Sequence, residues 1–85
     1  MKEFTFKITD PVGIHARPAG LLVKKATAFQ SDITIKLGEK SADAKKIFSV
    51  MTLGAGQGDE ITVEISGPDE EEAFLAIKSF FEENL

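Results

Sequence analysis

The chain has 85 residues, 42% hydrophobic and 28% charged, with a net charge of −4, seven Phe, no Trp or Tyr and no Cys. A domain this small buries only about 60% of its unfolded surface, so nearly every apolar residue goes into one core spanning 1–85, with no room for a deep substrate cavity. The acidic balance excludes a typical nucleic-acid binder, and the missing Cys excludes a disulfide framework or thiolate metal site and fits the cytoplasm.

In chain order, Phe4, Phe6 and Ile8 alternate with Thr5, Lys7 and Thr9. This predicts a strand with one buried face. It is unlike a signal peptide, and no apolar run elsewhere reaches membrane-spanning length. Ala19, Leu22, Val23 and Ala26 recur with the helical spacing i, i+3, i+4 and i+7. Ile33, Ile35 and Leu37 then alternate with Thr34 and Lys36, and a turn at Gly38-Glu39 leads to a short strand over 40–44. A short helix over 46–53 stops at Gly54, and 54–58 is a glycine-rich return into a strand marked by Ile61, Val63 and Ile65. The last helix carries Ala73, Phe74, Ile77, Phe80 and Phe81, with Asp69 and Glu72 spaced as a capping box and Glu70 and Glu71 suiting the positive end of the helix dipole. One-sided strands combined with amphipathic helices predict an α+β open-faced sandwich. Its four-stranded antiparallel sheet is covered on one face by two long helices plus a short one.

Chemistry concentrates in Gly13-Ile14-His15-Ala16-Arg17-Pro18-Ala19, which joins the first strand to the first helix. Pro18 belongs in a first helical turn, where its missing N–H costs nothing, so the helix starts near Ala16 and His15 lies at or beside its N-cap. Unpaired N–H groups there favour an anion and disfavour an imidazolium, which leaves one ring nitrogen as a nucleophile. The fork of Arg17 matches phosphate oxygens, and Gly13 permits a close or left-handed backbone. Together these parts suit reversible phosphorylation of His15. Taken singly, a lone His at a helix start is more often a cap or surface residue, Arg17 a solvated cation and Gly13 a turn.

The same seven residues resemble the active-site signature of HPr, the histidine phosphocarrier family of the bacterial sugar phosphotransferase system. The likeness extends along the chain: 45–54 resembles the family's second signature, 56–61 its approach to the last strand, and 67–70 the start of its final helix. The resemblance implies that His15 accepts a phosphoryl group from phosphoenolpyruvate through enzyme I and passes it to IIA domains of sugar permeases. It implies that Arg17 assists, with phosphate-binding N–H groups at Ala16 and Arg17. It also implies a docking face made of Ala16, Gly20, Leu21, Lys24, Thr27, Ile47, Phe48 and Met51. The residues support part of that face: Leu21 lies off its helix's apolar stripe, and Ile47, Phe48 and Met51 crowd a helix too short to bury them all. At least one of Ile47 and Phe48 is expected to fill the core. Lys24, Lys45 and Lys46 form a basic rim suited to an acidic partner, or simply a solvated edge. A cytoplasmic monomer without cofactor or metal is expected, a carrier rather than an enzyme.

Two positions depart from the family pattern. Lys46 stands where many Gram-positive relatives carry a regulatory serine, which puts regulation through that site in doubt. Ser49, one turn on, is a weak substitute, and Ser31 and Ser41 read as ordinary loop or strand serines. Position 12 is Val, which offers no side chain to cap the loop. The rival readings are a regulatory or nitrogen-type paralogue with other partners, and a binding-only module, against which His15 and Arg17 together count.

Overall fold

Alternating β-branched and aromatic residues stand on one face of an extended backbone and pack there, which is why these segments become strands. The computed structural model describes residues 1–85. Its strands are β1 (Lys2–Lys7), β2 (Asp32–Leu37), β3 (Lys40–Asp43) and β4 (Glu60–Ser66), and its helices α1 (Ala16–Thr27), α2 (Ile47–Thr52) and α3 (Glu70–Asn84). They form one sheet in the order β1-β4-β2-β3 with every neighbouring pair antiparallel. This is the α+β sandwich expected from the patterning. Two short elements are trimmed: β3 ends before Ala44, and α2 starts after Lys46, which is its N-cap in extended conformation.

The register aligns Phe4, Val63, Ile35 and Ala42 in one row across all four strands, and each is buried. A neighbouring row of Thr5, Thr62, Lys36 and Ser41 belongs to the open face. There Lys36 reaches diagonally to Glu64 at 3.1 Å, which offsets the like charge of Glu3 directly opposite Glu64. On the covered face, Ala19, Leu22 and Ala26 of α1 and Ala73, Ile77, Phe80 and Phe81 of α3 are buried. Phe81 is the aromatic centre. Its ring meets Phe4, Phe6 and Phe80 edge-on, with centroids 5.9, 5.6 and 6.1 Å away. Phe74 is only half-buried, with the Lys78 ammonium 5.6 Å from its ring centre.

Two local expectations fail at the start of α3. Asp69 is the N-cap, yet it makes no side-chain cap bond within its own helix. Its carboxylate instead accepts the backbone N–H groups of Gln30 and Ser31, each at 2.9 Å, and the Ser31 hydroxyl. The capping box is therefore absent, because a distant backbone turn claims the carboxylate. Glu70, not Glu72, reaches back, accepting the Gly67 N–H at 3.1 Å. Ser31 is correspondingly no ordinary loop serine: it is fully buried. Gly67 has φ +154°, and a Cβ there would lie 2.6 Å from the Ser31 Cα, so the two segments touch backbone to backbone. No helix is long and apolar enough to cross a membrane.

Candidate functional site

The connection from β1 to α1 is held from three sides. Ile8 exchanges backbone bonds with the return loop before β4, Ile8 N–H to Asp59 at 2.9 Å and Gly58 N–H to Ile8 at 2.8 Å. The N–H groups of Thr9 and Asp10 both donate to the Leu85 carbonyl, at 2.7 and 2.8 Å. Ile14 N–H donates to the Ala55 carbonyl at 3.0 Å, which fixes the residue before His15. Gly13 sits at φ +75° against this same loop. A Cβ there would come within 2.6 Å of both the Ala55 carbonyl oxygen and the Gly56 Cα, so only glycine fits.

His15 is the N-cap of α1, with φ −106° and ψ −173°, and its side chain makes no cap hydrogen bond. Its carbonyl accepts the Ala19 N–H at 2.9 Å and so closes the first helical turn. Pro18 has no N–H to offer. The donors left without intrahelical partners at this end are therefore those of Ala16 and Arg17. The half-buried imidazole shares an open groove of about 270 Å³ with Asp10, Arg17, Pro18, Leu21 and Asn84. Arg17 is exposed and takes part in none of the ion pairs. An unclaimed ring, two free N–H groups and an unpaired guanidinium thus gather at a helix N-terminus, an arrangement that receives an anion.

The other expected residues fall around this centre. Gly20 of α1 faces Ile47 of α2; a Cβ at Gly20 would be 3.7 Å from Ile47 Cδ1. Ile47 packs partly into the core, whereas Phe48 is 78% exposed, Leu21 45% and Met51 37%. The residue that α2 fully buries is Val50. Lys24 and Thr27 are exposed, with the Thr27 hydroxyl donating to the Lys24 carbonyl at 3.0 Å. The basic rim is smaller than the sequence suggests. Lys45 turns its ammonium onto the Phe29 carbonyl at 2.8 Å, beyond the end of α1, which leaves Lys24 and Lys46 as the freely exposed cations.

A family model described as "PTS HPr component phosphorylation site" matches residues 2–83. The chain belongs to the HPr family. As an HPr it is a phosphocarrier of the phosphotransferase system, not an enzyme in its own right. The phosphocarrier protein HPr of Lysinibacillus sphaericus is 46% identical, matching 98% of this chain and 94% of that protein. A solved histidine-containing phosphocarrier protein from Mycoplasma is 43% identical with a TM-score of 0.94, covering 96% of this chain and 93% of that one. An HPr structure from Thermoanaerobacter tengcongensis is 41% identical with a TM-score of 0.91, covering 96% and 92% of the two chains.

Two residues of this HPr's groove escape a reading by sequence. Asn84 arrives from the far end of α3, with nothing local to mark it. Asp10 leaves a signal, since Asp-Pro-Val-Gly at 10–13 is turn chemistry, but periodicity alone does not connect it to His15. A larger apolar groove of about 590 Å³ adjoins the site between α1 and α3, sharing Leu21 and Asn84 with it. It is lined by two lysines and by no His, Cys, Ser or Thr.

Proposed function

We propose that His15 is the phosphoryl acceptor and donor of this carrier. It is loaded from phosphoenolpyruvate through enzyme I and unloaded onto IIA domains of sugar permeases. The observation that carries the reading is the placement of His15 as N-cap of α1, its ring uncommitted and Arg17 in the same groove. In the transfer, a neutral ring nitrogen attacks phosphorus. The new P–N bond forms as the bond to the donor breaks, and the donor group leaves with its electron pair. The N–H groups of Ala16 and Arg17 and the Arg17 guanidinium offset the charge on the phosphoryl oxygens.

The same partners dock on the surface of Gly20, Leu21, Lys24, Thr27, Ile47, Phe48 and Met51. Apolar side chains exposed beside a reactive group suit an interface that must form and dissolve at each transfer. The carrier works as a single-domain monomer in the cytoplasm.

Incubation with phosphoenolpyruvate and enzyme I, followed by phosphohistidine detection, tests the assignment. Wild type is labelled and His15→Ala is not; equal labelling of the two, or none of either, overturns it.

A further inference from the structure

The turn before His15 converges on one residue that the family signature does not include. Asp10 uses all three of its polar groups. Its N–H donates to the Leu85 carbonyl at 2.8 Å, its carbonyl accepts the Gly13 N–H at 3.0 Å, and its carboxylate Oδ1 accepts the Val12 N–H at 2.8 Å. From Gly13 the path continues directly, because the Gly13 carbonyl accepts the His15 N–H at 3.1 Å. No other side chain bonds to the backbone of residues 10–15, and Val12 is exposed and has no polar group to contribute. Asp10 also lines the groove that holds His15 and Arg17.

Resting on His15 as the phosphoryl acceptor, we infer that Asp10 is its positioning residue and that its charge limits how firmly the phosphoryl group is held. The two effects have different physical origins. The hydrogen bond from Val12 closes the turn and fixes where His15 begins the helix, which favours a nitrogen already aimed at phosphorus. Asp10 lines the same groove that receives the phosphoryl oxygens, so its negative charge repels them, opposing Arg17. A carrier that must give its group away gains from such opposition, because an overly stable phosphohistidine would not be passed on.

Asp10→Asn separates the two, since the amide oxygen still accepts the Val12 N–H but carries no charge. Asp10→Ala removes both. The assay uses enzyme I and phosphoenolpyruvate, reading the initial rate of His15 phosphorylation and the phosphorylated fraction at a fixed ratio of phosphoenolpyruvate to pyruvate. Asp10→Asn is expected to load within about twofold of the wild-type rate and to shift the equilibrium severalfold toward the phosphorylated form. Asp10→Ala is expected to load about tenfold more slowly, a size typical of a slightly misplaced reactive group. Gln57→Ala, which removes only a bond to the Thr9 carbonyl, serves as the control and loads normally. A wild-type rate in Asp10→Ala, or an Asp10→Asn as slow as Asp10→Ala, overturns the positioning role. An unchanged equilibrium in Asp10→Asn overturns the charge role. Wild type that takes no label on His15 instead removes the reading on which the inference rests.

Discussion

Asp69 and Ser31 stand 38 residues apart in the chain, yet the Asp69 Oδ1 accepts both the backbone N–H and the hydroxyl of Ser31. With the Gln30 N–H on the other oxygen, one carboxylate binds the start of α3 to the residues leading into β2. These bonds, the Ser31 hydroxyl foremost and then the Gln30 N–H, hold the Asp69 carboxyl below the usual aspartate range.

A pH dependence follows. The folded pKa lies below the unfolded one, so within that interval the unfolded chain binds more protons and stability rises with pH. The contribution is complete above the unfolded value and lost as pH falls through the folded value. Asp69→Asn is expected to melt below wild type at neutral pH, with the gap narrowing in acid. Thermal melts from pH 7 down to about pH 2 measure this, and a gap of constant size speaks against it.

Gly13→Ala is expected to damage both stability and transfer. The new Cβ meets backbone at 2.6 Å on a residue at φ +75°, and neither the Ala55 carbonyl nor Gly56 can move like a flexible side chain. A loss of about 2 kcal/mol or more is anticipated from strain and displacement. Denaturant unfolding and His15 labelling check the two consequences separately.

Phe48 and Val50 share α2 but should respond in opposite ways. Phe48→Ala removes a 78% exposed ring and is expected to leave the melting temperature nearly unchanged. It should raise the KM of the phosphoryl-donor enzyme for the carrier by roughly tenfold, as loss of an apolar interface anchor does. Val50→Ala trims a fully buried side chain and is expected to cost about 1–3 kcal/mol while sparing docking. Kinetics at saturating and limiting carrier, beside melts of each variant, distinguish them.

Serine phosphorylation on α2 is expected to fail. Lys46 occupies the N-cap, and Ser49 is half-buried in a groove shared with Asp32 and Asp43, whose charges oppose a phosphate. Treatment with the family's serine kinase and ATP, followed by intact mass, should show no added phosphate. Modification at Ser49 would reverse this.

Much of the molecule was readable from the chain because its causes are local. Alternation in Phe4, Phe6 and Ile8 or Ile61, Val63 and Ile65 depends only on which side of an extended backbone each residue occupies. Pro18 located the start of α1 and so placed His15 at its N-cap, again through neighbours a few positions away. What only the tertiary structure decided are choices among competing partners. Asp69 gave up the cap of its own helix for Ser31, Lys45 left the basic rim for the Phe29 carbonyl, and Ile47 rather than Phe48 turned toward the core. Asn84 lines the groove with Asp10 and His15 only because α3 packs against α1. In each case the partner that decides the outcome is distant in sequence. Packing brings a single partner within reach, and the hydrogen bond made there, or the apolar area buried, then holds it.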